Sequence, residues 1–272
     1  MADLGAIQQT MFITLHARAT SGDATARRLV EAIDYDFGIF ERHAGLTALF
    51  HVLRSSSYDA WTRDFLAECP NGTVVELGAG LTTRADRLDN GTASWVFVDL
   101  PDAAGLRRAL LPDGPRRRTV AGSVLSADWV PAVLESPGPY LLLAEGVLVY
   151  LEPGQVRAAL GHLAAGFPGG RVALDTYGSW IVARPRGPLQ RMAAGLVWAC
   201  EDPREPEGWG LGLTLRESYA LSRPDRSVRR ALPRRTRAAL SAINAFVPRR
   251  MVNTPREPLR RGIDGCVARE RA

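Results

Sequence analysis

A short apolar run leads directly into a glycine-rich turn in the segment from Val74 to Gly80. Glycine permits a sharp turn and lets a ligand lie against bare backbone. In an open α/β sheet, ligands bind beyond the carboxyl ends of the strands, where such turns lie. Gly78 and Gly80 are therefore predicted to contact a ligand, and Glu76, just before the turn, is predicted to attract positive charge on it.

Three features distinguish this turn from the dinucleotide-binding motif. Thr83 occupies the position of the third glycine, which dinucleotide enzymes need for close helix packing. The Glu76 carboxylate would repel a pyrophosphate, but it suits a ligand that carries an ammonium and a sulfonium. Asp99 ends the second apolar run, about 20 residues beyond the turn, where an acid binds both ribose hydroxyls. The alternative for Asp99 is a helix N-cap before Pro101.

Alternating strand-like and helix-like segments must position these side chains. Strands are predicted at residues 73–77, 94–98, 118–121, 140–144 and 171–174, with two more at 213–216 and 265–268. Helices are predicted near residues 84–88, 103–110, 155–165 and 189–199. The alternation favours an open parallel sheet with right-handed crossovers.

The predicted domain organisation has two parts. Residues 1–68 carry apolar residues at three- and four-residue spacing, which predicts an N-terminal helical cap. Residues 69–272 are predicted to form the core, with a substrate-binding insertion around residues 178–212.

The composition excludes several enzyme classes. The chain has 272 residues, and all 34 basic residues are arginine. Without lysine there is no Schiff-base enzyme, no Walker A P-loop and no Tyr-x-x-x-Lys dehydrogenase. The three cysteines are isolated, no apolar run reaches about 18 residues, and no leader precedes Asp3. We therefore expect a soluble cytoplasmic protein with no disulfide framework, no metal site and no membrane partner.

Three spaced motifs resemble the leucine carboxyl methyltransferase superfamily. They lie at residues 76–84, 98–101 and 144–151. Residues 9–19, 33–37, 175–177 and 203–215 are similar to a bacterial branch of that superfamily, the polyketide carboxyl methyltransferases. The resemblance implies a class I methyltransferase fold, with a Rossmann-like, mostly parallel, seven-stranded sheet that binds S-adenosylmethionine (SAM).

The resemblance also implies roles for individual residues. Arg54 matches an arginine that grips the SAM carboxylate, and an arginine fork suits two oxygens. Glu145 matches the acid near the methionine ammonium. Ser123 stands where the family usually offers an acid to adenine, and Thr82 stands where it often has Asp. The full set of predicted cofactor-binding residues is Arg54, Glu76, Gly78, Gly80, Asp99, Leu100, Ser123, Val124 and Glu145.

Carboxyl oxygen is the predicted methyl acceptor, on a polyketide or aromatic acid. A carboxylate is already ionised and needs no base, whereas a phenol or amine usually does. None of His16, His43, His51 and His162 lies in a recognisable motif, so packing or surface roles are predicted for them. The predicted substrate-side residues are Arg18, Arg184, Arg186 and Arg191 as cations, with Tyr150 and Tyr177 as positioning groups.

Three alternatives stay open. The first is an O- or N-methyltransferase with another acceptor, since fold does not fix acceptor chemistry. The second is a nucleic-acid methyltransferase, suggested by the arginine-rich stretch 223–237, although we expect no nucleic-acid partner because the aromatic platform for flipped bases is missing. The third is a SAM-binding protein without methyl transfer.

Overall fold

The computed structural model describes residues 4–41, 44–183 and 195–218, with single residues between 229 and 241. The strands are β1 (Thr73–Leu77), β2 (Ser94–Asp99), β3 (Arg117–Ala121), β4 (Tyr140–Ala144) and β5 (Arg171–Leu174). The helices are α1 (Ala6–Gln9), α2 (Met11–Thr20), α3 (Ala24–Ala32), α4 (Gly38–Glu41), α5 (Ala44–Glu68), α6 (Arg84–Leu88), α7 (Pro101–Leu110), α8 (Val130–Leu134), α9 (Pro153–Gly166) and α10 (Ser179–Val182). Short 3-10 helices cover Leu148–Tyr150 and Glu205–Trp209.

The five strands form one parallel sheet in the order β3-β2-β1-β4-β5. The central strand β1 is buried along its whole length, as expected for a strand covered by helices on both faces. The chain adds β2 and β3 on one side of β1 and then returns to add β4 and β5 on the other side. The order of the strands therefore reverses between β1 and β4. The carboxyl ends of these strands therefore flank a crevice at the switch point, where open α/β sheets bind ligands.

The predicted seven-stranded sheet needs correction. The first five strands are confirmed to within one residue, but residues 213–216 are irregular. Leu213 and Leu215 alternate with exposed neighbours as a strand would, yet the Leu215 amide donates to Glu207 Oε1 at 2.7 Å. The backbone is thus satisfied by a side chain rather than by a neighbouring strand. Residues 265–268 lie outside the described residues. Of the predicted helix 189–199, residues 195–199 are irregular and the rest is not described.

Alternate residues of the strands face opposite layers of the core. Val75 and Leu77 pack with α8 and α9 on one face. Val74 packs on the other face with Tyr58 and Phe65 of α5. By the same alternation, Glu76 points to the α5 side, where its partners lie.

The N-terminal helices pack against the turn that follows β1. Phe12 and Leu15 of α2 share a buried cluster with Leu81 of that turn. Asp23 accepts a bond from the Ala26 amide at the start of α3 and another from Thr83 Oγ1 at 2.5 Å. These contacts fix α2 and α3 over the crevice. Within the described residues, no helix is long and apolar enough to cross a membrane.

Candidate active site

A cavity of about 680 Å³ opens at the carboxyl ends of the strands. That volume lies within the range of about 300–1,000 Å³ that is typical of small-molecule sites. The predicted residues in its wall are Arg18, Arg54, Glu76, Gly78, Gly80, Asp99, Leu100, Ser123, Val124, Glu145, Tyr150 and Tyr177. Arg184, Arg186 and Arg191 lie outside the described residues.

The glycine-rich turn requires glycine for two reasons. Gly78 and Gly80 have φ angles of +56° and +47°, which side chains rarely adopt. A Cβ on Gly78 would lie 2.6 Å from Val147 Cγ2, and one on Gly80 would lie 2.9 Å from Met11 Cβ. The turn is thus enclosed between the β4 loop and α2, and its bare backbone forms the floor of the cavity.

Asp99 supports this turn from the end of β2. Its Oδ2 accepts the Gly80 amide at 2.6 Å and its Oδ1 accepts the Leu100 amide at 2.8 Å. Burial raises the pKa of Asp99, although both amides oppose the effect. Leu100, and not Asp99, is the N-cap residue of α7. Each carboxylate oxygen retains a lone pair, which matches the demands of two ribose hydroxyls.

The loop after β3 supplies a polar but uncharged wall. Ser123 Oγ accepts the Leu125 amide at 3.2 Å, and its carbonyl accepts Trp129 Nε1 at 2.9 Å. Val124 lies next to it in the same wall. This wall suits a flat heteroaromatic group that is held by apolar contact and backbone groups.

Glu145 is the centre of the charged end of the cavity. Arg54 Nε donates to its Oε1 at 3.2 Å, and Arg84 Nη2 donates to its Oε2 at 2.5 Å. Arg18 Nη2 lies 3.6 Å from the same carboxylate. Burial acts to raise the pKa of Glu145, but the charges of Arg84, Arg18 and Arg54 outweigh it and hold that pKa at about 2.

Arg84 lies in the motif at residues 76–84, but the sequence predicted no role for it. Its side chain is fully buried and donates to Asp59 at 2.8 Å, Glu76 at 2.5 Å and Glu145. The three carboxylates offset the cost of removing the guanidinium charge from water. Glu76 is consequently paired with Arg84, and its negative charge reaches the cavity only in part.

Asp175 was also given no role. It follows β5, and its Oδ1 accepts the Gly146 amide at 2.6 Å, while its Oδ2 accepts the Tyr177 hydroxyl at 2.7 Å. Arg54 Nη1 donates to the Tyr177 oxygen at 2.9 Å. Asp175 thus fixes both Tyr177 and Arg54. Its position directly after a strand is the sequence feature that could have identified it as a site residue.

Arg107 of α7 supports the glycine-rich turn from below. Its Nη1 donates to the carbonyls of Gly80 and Thr82 at 3.1 and 3.0 Å. The guanidinium lies 3.6 Å from the centre of the Phe97 ring, close enough for a cation–π contact. Burial lowers the pKa of Arg107 to about 10. No feature of the sequence indicated this role of Arg107.

An apolar end of the cavity adjoins the charged end. Its wall includes Phe50 of α5, with a ring 6.0 Å from that of Tyr177, and Trp180 of α10, which is 43% exposed. Tyr150 also lines the cavity, and burial raises the pKa of its hydroxyl. His51 also lines the cavity, one helical turn before Arg54 on α5. Its spacing of three residues from Arg54 on one helix was the missed signal.

The charged end fits the methionine part of SAM. Three guanidiniums (Arg18, Arg54, Arg84) and three carboxylates (Glu76, Glu145, Asp175) meet here, and Asp59 is shared between Arg84 and Arg87. SAM carries an ammonium, a sulfonium and a carboxylate, a formal net charge of +1. Arg18 Nε is buried and has no hydrogen-bond partner among the described residues. An added anionic group would satisfy it.

Comparisons with known proteins agree with this geometry. The model of the leucine carboxyl methyltransferase family matches residues 14–164. The chain is 32% identical over 229 residues to the tetracenomycin polyketide synthesis O-methyltransferase of Streptomyces glaucescens, covering 80% of this chain and 84% of that protein. A putative S-adenosyl-L-methionine-dependent methyltransferase of Frankia alni is 34% identical over 54% of this chain and 57% of its own length.

A solved structure shares the fold. A DUF574 family protein from Streptomyces avermitilis superposes with a TM-score of 0.54 at 13% identity, over 81% of this chain and 91% of that one. The predicted class I fold with a parallel sheet is thereby confirmed, with five strands among the described residues. From the family match and the close relative, the chain belongs to the leucine carboxyl methyltransferase family and is a SAM-dependent methyltransferase.

Proposed function

We propose that this enzyme transfers the methyl group of SAM to a carboxylate of a small aromatic or polyketide acid. The observation that carries the proposal is the contrast within one cavity, which joins a charged end to an apolar end. A flat apolar acid would bury its rings at the apolar end and direct its carboxylate toward the charged end. The Streptomyces glaucescens relative is named as an O-methyltransferase of tetracenomycin polyketide synthesis.

Specific residues would hold the cofactor. Arg54 would bind its carboxylate, Glu145 its ammonium, and Asp99 its ribose hydroxyls. Leu100, Ser123 and Val124 would enclose the adenine. Arg18 Nε, which has no partner among the described residues, would donate to the acceptor carboxylate from the boundary between the two ends.

When bound, SAM supplies the methyl carbon: an acceptor oxygen forms a C–O bond to it as the C–S bond breaks, and the bonding pair stays on sulfur. No proton moves, because the acceptor is already a carboxylate. The task of this chain is therefore to hold both partners in line and to exclude water, which lowers the barrier by proximity. Phe50 and Trp180 would exclude water at the apolar end.

The N-terminal segment has a proposed role as a cap. Ile7, Gln8 and Met11 of α1 and α2 contribute to the cavity wall. Residues 1–68 would thus close the site over bound ligands. The segment around residues 178–212 would shape the acceptor end, since Trp180, Ile181 and Leu196 line the cavity.

A phenol acceptor is the second candidate, because His51 lies in the cavity and a phenol needs a base. The two candidates are separated by offering the enzyme 1-naphthoic acid and 1-naphthol as matched acceptors, with SAM labelled in its methyl group. We expect labelled methyl naphthoate and at most a trace of the naphthyl ether. Methylation of the naphthol with no ester from the acid would contradict the proposal.

A further inference from the structure

The contact between His51 and Arg54 fixes which nitrogen of the imidazole carries the proton. Arg54 Nη2 lies 3.4 Å from His51 Nδ1. A guanidinium can only donate, so Nδ1 must accept and carries no proton. In the neutral ring the proton is then on Nε2, which makes Nε2 a donor.

The surroundings keep this ring neutral. Burial and then the charge of Arg54 lower the pKa of His51 to about 3. Glu145 acts in the opposite direction, whereas Arg18 acts in the same direction as Arg54. An imidazole with so low a pKa is a poor base, because it has little driving force to accept the proton of a phenol hydroxyl.

The position of His51 indicates its ligand. Arg54 uses Nε for Glu145 and Nη1 for Tyr177 and Asp175, and its Nη2 meets His51. His51 shares its cavity wall with the apolar residue Phe50. His51 thus adds a polar ring to this apolar part of the cavity wall, next to Arg54.

We propose that His51 binds the acceptor carboxylate by donating its Nε2 hydrogen, and that it thereby selects acceptors that arrive ionised. The inference rests on the proposed function and adds a specificity-determining residue to it. A neutral donor offers a carboxylate a charge-assisted hydrogen bond, which is stronger than the bond it offers to a neutral hydroxyl. His51 is thus a binding group for acids and does not act as a base.

The proton position can be measured without any acceptor. Nitrogen–proton correlation spectra of protein with ¹⁵N-labelled histidine, saturated with S-adenosylhomocysteine (SAH), report the protonated nitrogen of each ring. His51→Gln assigns the His51 signal. We expect a neutral ring with its proton on Nε2 from about pH 5.5 to 8.5. A proton on Nδ1, or titration near the ordinary pKa, would overturn the inference.

Ligand binding supplies the second test, with 1-naphthoate titrated into SAH-saturated wild type, His51→Gln and His51→Leu. We expect His51→Leu to weaken naphthoate binding about tenfold or more, and His51→Gln, which keeps a donor, to weaken it less. SAH affinity should change less than naphthoate affinity in both variants. Weaker SAH binding with unchanged naphthoate affinity would assign His51 to the cofactor and overturn the inference.

Product analysis separates this inference from the proposed function. Naphthoate binding that depends on His51, without any methyl ester, would contradict the proposed function alone. Ester formation with the same KM for naphthoate in wild type and His51→Leu would overturn the inference alone. A wild type that does not bind naphthoate would contradict both.

Discussion

The two ends of the cavity are built on different principles. At the cofactor end, Arg84, Glu76 and Glu145 are almost completely buried and satisfy one another through short ion pairs. At the acceptor end, Phe50 and Trp180 present apolar surface and Trp180 is partly exposed. Charged groups with fixed partners specify one ligand, whereas apolar walls accept many shapes. We therefore propose that the cofactor end sets the family reaction and that the acceptor end selects the individual substrate.

At the cofactor end, we expect substitution of Arg84 to cause the largest loss of stability. Arg84→Ala leaves Asp59, Glu76 and Glu145 buried without their shared cation, so we expect the free energy of unfolding to fall by about 3–5 kcal/mol. Urea denaturation measures it. The matched control is Arg63→Ala, whose side chain is 59% exposed and 4.0 Å from Asp59. That control should change stability by less than about 1 kcal/mol. Equal midpoints for the two variants would contradict the assignment.

Low pH should weaken the ion pairs of Glu145 at the cofactor end. The pKa of Glu145 is lowered from 4.5 to about 2 in the folded protein. Its contribution to stability is therefore complete above pH 4.5 and is lost as the pH falls toward 2. It amounts to about 3 kcal/mol. We expect Glu145→Gln to be less stable at neutral pH but to show a shallower decline on acidification.

The comparison that tests the acid effect is the difference between wild type and Glu145→Gln across that pH range, because Asp89, with a pKa of about 2, adds a similar slope to both proteins. Denaturant midpoints at several pH values give this difference. Parallel curves for the two proteins would show that Glu145 is not held ionised by its arginines.

Substitution at the acceptor end should cause a smaller loss, and only in the binding of the acceptor. Trp180→Ala removes an aromatic wall, so we expect KM for 1-naphthoate to rise about fivefold, which corresponds to about 1 kcal/mol of lost contact. Steady-state kinetics measure it at saturating SAM. Leu134→Ala, a similarly exposed apolar residue that is not among those lining the cavity, serves as the control. A matching rise in the control would remove Trp180 from the acceptor site.

The sequence predicted the sheet better than the ionic network. Strands β1 to β5 follow from apolar runs between turn residues, which are local signals. Arg84 and Glu145 are 61 residues apart, and their pairing depends on the crossovers that bring β1 and β4 together. The family resemblance therefore identified Glu145 but not its partner. His51 was missed because a histidine on a helix gains meaning only when the cavity beside it is known.

The separation of the two ends is tested most directly by calorimetric titration of SAH into wild type, Asp99→Ala and Trp180→Ala. We expect micromolar binding by wild type, a loss of about 100-fold or more in Asp99→Ala, and a change of less than about twofold in Trp180→Ala. The exposed Asp128→Ala serves as the matched carboxylate control and should bind as wild type does. Wild-type affinity for SAH in Asp99→Ala would contradict the placement of the cofactor ribose at Asp99, and equal losses in Asp99→Ala and Trp180→Ala would contradict the separation of the two ends.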